Sequence, residues 1–200
     1  SIAQIVIPTT MQSIENNAFF NCTGLIAVQN LSALTITKGS TANGYVAYYA
    51  KVVFGEGENP IKNVDGFMFY DNGTSVTLMG YNGTSTTPTL PSDFNGSAYT
   101  IDSTAFKGNT TITAVTLPNT FTEVPANMFE NCTSLKSIDL PKTIKYVGPG
   151  TFDGCIALSE INFAHTTPPQ FYSELTAGTK CFVPDGHKFV LAEGELKKDG

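Results

Sequence analysis

The feature that most constrains this chain is a ladder of similar residues at a fixed offset of 23. Phe106, Phe129 and Phe152 occupy one rung position, and Leu117-Pro118 returns as Leu140-Pro141. Ile101, Val124 and Val147 share another position, as do Ile112, Leu135 and Leu158, then Val115, Ile138 and Ile161, and finally Cys132 and Cys155. A repeat of this length with several apolar positions in register predicts a solenoid. A coil of this kind cannot bury its apolar side alone and needs a neighbour stacked on it.

Within the unit, Ile138-Asp139-Leu140 alternates in, out, in, the pattern of a half-buried strand. Pro141 ends it, because proline has no amide to donate to the sheet. Thr143 to Val147 reads as a second extended segment, and Gly148 to Gly154 as a turn that carries Phe152 inward. The same frame fits the N-terminus, where Ile2, Ile5, Ile7, Pro8, Ile14, Phe19 and Cys22 take the corresponding places. Leu25 and Val28 then open a second unit that drifts, its aromatic position falling on Ala42.

The run Leu117-Pro118, Val124, Phe129-Glu130-Asn131-Cys132, Leu135, Ile138 resembles the BspA-like (Treponema pallidum-type) leucine-rich repeat. The likeness covers roughly residues 2–28 and 90–163. The small residue usual before the aromatic is present as Ala18 and Ala105 but replaced by Met128 and Thr151. The usual Ile-Gly pair survives only as Val147-Gly148. Together, ladder and resemblance predict a β-rich, right-handed leucine-rich-repeat solenoid with a β-hairpin insert between two repeat blocks.

The expected organisation is one elongated repeat domain over 1–200, with N-terminal repeats at 1–30, an irregular hairpin-bearing insert at 31–89, C-terminal repeats at 90–164 and a C-terminal cap at 165–200. In the insert, Val64–Tyr70 and Val76–Tyr81 read as two strands around an Asn72-Gly73 turn, a pairing that favours positive φ. Tyr45 to Phe54 reads equally as a degenerate repeat or as a helix running into a strand. Thr179 to Pro184 reads as a last strand. Ser1 stands just ahead of ladder position Ile2, so a fragment of a longer solenoid or a chain with its leader removed is expected.

Composition limits the chemistry. All 11 basic residues are Lys against 17 acidic ones, a net charge of −6, and Arg is the residue that supplies bidentate phosphate and base contacts. Nucleic-acid binding is therefore not expected, and no apolar span or basic amphipathic run points to membrane insertion. Cys22, Cys132 and Cys155 share one rung position, where adjacent strands lie about 4.8 Å apart, a poor match to a disulfide. They read as buried thiols acting as small apolar groups, with a Cys132–Cys155 bridge or a bound metal as the alternative. Asn109 fills the same position in one unit, which fits a backbone-serving role and not metal ligation.

Catalysis has little support. His165 and His187 are the only histidines and belong to no metalloprotease or hydrolase motif. The carboxylates Asp102, Glu123, Asp139 and Asp153 occur singly in polar slots, whereas a glycosidase needs a facing pair. No catalytic, metal or cofactor residue is assigned, and a monomer is expected. Phe19, Phe106, Phe129, Phe152, Cys22, Cys132 and Cys155 are assigned to the structural ladder. Tyr45, Tyr48, Tyr49, Tyr70 and Tyr81 cluster in the insert; they serve either its own core or an interaction surface, where rings with polar tips are favoured. The absence of Trp weighs against a carbohydrate-stacking site.

The resemblance implies an exported or surface-displayed bacterial protein, with recognition or adhesion toward a protein, matrix or glycan ligand through the solenoid face or the insert. A spacer segment without a ligand is the structural alternative, and a glycan-active enzyme the catalytic one. The outward strand slots Gln4, Thr116, Asp139 and Asn162 are bland, which favours the spacer.

Overall fold

The computed structural model describes residues 3–57, 59–164, 169–173, 175, 179–182, 188–192 and 195–198. His165, His187 and the segment around Thr167-Pro168 lie outside them. The fold is a β-solenoid of about seven turns. The chain divides into two compact units, one of the residues up to Val64 with Met68–Asp71, the other of Asp65–Phe67 with Asn72 onward.

In the first unit, β1 (Gln4–Ile7), β2 (Ala27–Asn30) and β3 (Val52–Phe54) form a parallel sheet in that order. Ile5 pairs with Val28 and Val28 with Val53. These residues join Ile7, Leu25, Val46, Ala47 and Ala50 in an apolar core, against which Ile14, Phe19 and Cys22 are packed. The step from Val28 to Val53 is two residues longer than the ladder period, so the second coil is enlarged. Of the two readings of Tyr45 to Phe54, the structure shows an enlarged repeat coil: Asn43–Tyr45 makes a short 3-10 turn, and β3 then pairs in register. Ala42 is exposed and does not take the inward seat; Val46, fully buried, lines the core there.

β4 (Ile61–Val64) neighbours β5 (Phe67–Asp71), with Asp65-Gly66 between them at φ 51° and 86°. Two successive positive φ values define a tight hairpin turn. The strand expected to open at Val64 therefore begins at Phe67, because Asp65-Gly66 bends where an extended pair was expected. The Asn72-Gly73 turn follows, closed by the Asn72 carboxamide oxygen, which accepts from the Thr74 and Ser75 amides at 3.0 and 2.9 Å.

In the second unit, β6 (Val76–Tyr81) pairs with β7 (Thr100–Ile101) in parallel, Leu78 opposite Ile101. Two further columns of strands follow in the repeat. β9 (Glu123–Val124), β11 (Tyr146–Val147) and β13 (Gln170–Phe171) form one parallel sheet. The other is ordered β8 (Ala114–Thr116), β10 (Ser137–Leu140), β12 (Glu160–Phe163), β14 (Lys180–Phe182), β15 (Lys188–Ala192) and β16 (Glu195–Lys198). Its first four strands run parallel and its last two antiparallel. Val115, Ile138 and Ile161 stand in register and are buried, which is the ladder read from sequence, and Cys181 extends the column although it falls outside the 23-residue period.

The turns close by a repeated device. Asn17 and Asn127, and likewise Asn21 and Asn131, adopt φ near 60°, the left-handed region that Asn tolerates through its short polar side chain. Gly148, the one family-type glycine, has a different reason. A Cβ there would meet the Ala126 amide nitrogen of the preceding coil at 2.5 Å, so only hydrogen fits between the two backbones.

Candidate functional site

The ladder residues build the scaffold from which any site projects. In the second unit, Tyr81, Phe106, Phe129, Phe152 and Phe171 form a continuous file of rings with successive centroids 6.2, 5.3, 5.9 and 5.9 Å apart. Phe106, Phe129 and Phe152 are buried. Phe19, in the first unit, is half-buried against the apolar core. Offset and tilted ring pairs add to the stabilisation given by burial alone.

The four cysteines are free; Cys132 and Cys155 are buried as expected, but Cys22, expected to be buried, is half-buried. The Cys132 thiol donates to the Phe106 carbonyl and the Cys155 thiol to the Phe129 carbonyl, each at 3.0 Å. Each thiol thus bonds the backbone of the coil before it. Burial pushes the Cys132 and Cys181 thiols up to about 12 and Cys155 up to about 11, so they stay protonated at neutral pH. Asn109 serves the backbone differently, accepting from the Thr111 and Ile112 amides of its own turn.

The candidate tyrosines separate into groups. Tyr45, Tyr48 and Tyr49 converge in the first unit, with ring centroids 5.4 and 4.8 Å apart in edge-to-face contact. Phe20 extends the row, 5.3 Å from Tyr45. The Tyr49 hydroxyl lies 3.5 Å from the Asn21 carboxamide oxygen. Phe20 is 53% exposed and Tyr48 43%, so the row presents apolar surface to solvent. Tyr70 is half-buried in β5. Tyr81 packs on Phe67 and Phe106 and heads the aromatic file.

The backbone that presents this row is strained. Asn43, Gly44 and Tyr45 all have positive φ, at 50°, 63° and 67°. A left-handed non-glycine residue costs about 1–2 kcal/mol, most for a bulky side chain such as Tyr45. Surrounding bonds hold the turn: the Asn43 carboxamide donates to the Thr35 carbonyl at 3.0 Å, and the Gly44 carbonyl accepts from the Phe19 amide at 2.7 Å. Gly44 is required, because a Cβ there would collide with the Glu15 carbonyl.

Sequence reasoning missed three exposed or half-exposed rings. Phe20 carries no repeat signal, since the residues after the other ladder aromatics are Lys107, Glu130 and Asp153. In the second unit Tyr146 and Tyr172 lie 5.3 Å apart, with Tyr172 57% exposed. The available signal for Tyr146 was its place one residue before ladder residue Val147, an outward slot.

Along the outer face of the larger sheet, Thr116, Asp139 and Asn162 stand in register, and the Asn162 carboxamide donates to Asp139 at 2.8 Å. Lys107 pairs with Glu130 on the next coil at 2.7 Å. Among the described residues, no group of three or more His, Cys, Asp or Glu side chains gathers as a metal site would require. No helix among them is long and apolar enough to cross a membrane.

A family model described as "BspA type Leucine rich repeat region" matches residues 1–78 and 81–176, in 6 copies. Among solved structures, a leucine-rich repeat protein from Eubacterium ventriosum is similar with a TM-score of 0.50 and 18% identity, over 90% of this chain and 42% of its own. The T. pallidum leucine-rich repeat protein gives 0.46 and 18%, over 56% and 64%. A leucine rich cell surface protein from Faecalibacterium prausnitzii gives 0.43 and 17%, over 88% and 61%. The chain spans less than two thirds of the length of each of these three. No curated protein matches the sequence.

Proposed function

The chain belongs to the BspA-type leucine-rich-repeat family, and from that premise we propose that it is a non-enzymatic recognition module, working outside the cell or at its surface and binding a protein or matrix partner. The observation that carries this reading is the row Phe20, Tyr45, Tyr48 and Tyr49, whose rings touch at 5.3, 5.4 and 4.8 Å while Phe20 and Tyr48 remain open to solvent. Rings with an apolar body and a polar tip are enriched at protein interfaces, where a few buried aromatics dominate affinity. The left-handed turn adds weight, since strain of this kind clusters at functional sites. The extracellular location rests on the family alone.

A spacer role is favoured by one specific observation, the row Thr116, Asp139 and Asn162 on the larger sheet, which offers neither rings nor charge of one sign. A panel of purified extracellular-matrix and cell-surface proteins separates the two readings. Binding at micromolar concentration that is lost in a Phe20→Ser/Tyr48→Ser double variant, with the thermal midpoint unchanged, supports recognition. A panel without any binder leaves the spacer reading in its place, and binding indifferent to both substitutions removes the Phe20–Tyr49 row as the recognition site.

A further inference from the structure

We propose that the tyrosine pair Tyr146–Tyr172, flanked by Glu123 and Gln170, is a binding site for a neutral oligosaccharide. The site is separate from the Phe20–Tyr49 row and does not rest on the reading given to it.

The geometry begins with strand register. Tyr146 pairs with Glu123 of β9 on one side and Gln170 of β13 on the other. The next residue of each strand, Val124, Val147 or Phe171, belongs to the inward ladder, so alternation points Glu123, Tyr146 and Gln170 outward together. Glu123 and Gln170 are exposed and Tyr146 half-buried. Tyr172 then brings a second ring to within 5.3 Å of Tyr146 at a tilt of 38°. Two strand spacings, about 9–10 Å, separate the backbones of Glu123 and Gln170, comparable with a run of two sugar rings.

The chemistry selects the ligand class. A pyranose has an apolar C–H face and a rim of hydroxyls. An aromatic face accepts the first, and groups at its edge must satisfy the second. Glu123 supplies a charged acceptor and Gln170 both an acceptor and two donors, so sugar hydroxyls find complementary partners on either side. Charge decides between neutral and acidic sugars. Across 122–124, 145–147 and 170–172 the charged side chains are Glu123 and Lys145, a balanced pair that gives an anionic ligand no net attraction. With no Trp in the chain, stacking falls to tyrosine, and Tyr172, 57% exposed beside Tyr146, offers an open ring.

Saturation-transfer NMR on the full chain, with neutral gluco-, galacto- and manno-oligosaccharides and their uronate or sialylated counterparts at low-millimolar concentration, tests the site. Transfer to at least one neutral oligosaccharide is expected. Tyr172→Ala should then weaken binding at least about tenfold, equivalent to about 1.4 kcal/mol. Tyr172→Phe should retain most of the affinity and Glu123→Gln should lower it. The Phe20→Ser/Tyr48→Ser variant should bind sugar as the parent does, which keeps this outcome distinct from that of the protein-binding test. Tyr172 is exposed, so an unchanged thermal midpoint in Tyr172→Ala shows that the fold is intact. No transfer to any neutral sugar, stronger binding of the acidic counterparts, or an unaltered affinity in Tyr172→Ala would overturn the proposal.

Discussion

Cys132, Cys155 and Cys181 show how a single side chain can serve a coil while losing its reactivity. Each is buried, and two of them bond the carbonyl of the preceding aromatic rung. Thiolate is the reactive form, and burial holds it back. At pH 8 the folded protein should therefore be alkylated rapidly at the half-buried Cys22 alone, and at all four cysteines in denaturant. Mass spectrometry of iodoacetamide-treated protein counts them. The same burial makes stability depend on pH. Folded thiols at about 11–12 keep their protons where unfolded thiols, at their ordinary value of 9.0, lose theirs. Above pH 9 the unfolded state binds fewer protons than the folded one, so stability falls as pH rises. The urea midpoint should be lower at pH 10 than at pH 8, with Cys132→Ala and Cys155→Ala each reducing the difference.

At the scale of the element, the coil is held by its stacked aromatic more than by its short strands. Phe129 is buried between Phe106 and Phe152, with centroids 5.3 and 5.9 Å away. Phe129→Ala should cost about 3–5 kcal/mol, because both neighbouring coils lose a contact they cannot recover by collapse. A denaturation midpoint close to that of the parent would remove Phe129 from the load of the core. The β10 alternation at Ile138-Asp139-Leu140, its end at Pro141 and the inward Phe152 were all legible in sequence, since each repeats at one period. The second coil was only partly legible. Its two extra residues move the inward seat to Val46, and a period count lands on exposed Ala42. Asp65-Gly66 has the composition of a turn, and its positive φ values interrupt the strand that the apolar residues on either side predict.

For the whole molecule, parallel stacking implies graded protection. β10 is paired on both sides, to β8 and β12, whereas β1 has β2 as its neighbour among the described residues. Opening a strand paired on both sides breaks two interfaces, so amides of Ser137–Leu140 should exchange more slowly than those of Gln4–Ile7. Hydrogen-exchange mass spectrometry reads this directly, and equal rates would contradict nearest-neighbour stabilisation. By itself the sequence determined the coil and what fills it, because interior positions stack on their own copies and must repeat to fit. Tertiary structure decided which outward rings meet. Outward slots carry no such constraint, so Phe20 and Tyr45, or Tyr146 and Tyr172, become neighbours only once the coils are stacked and the turns have set their direction.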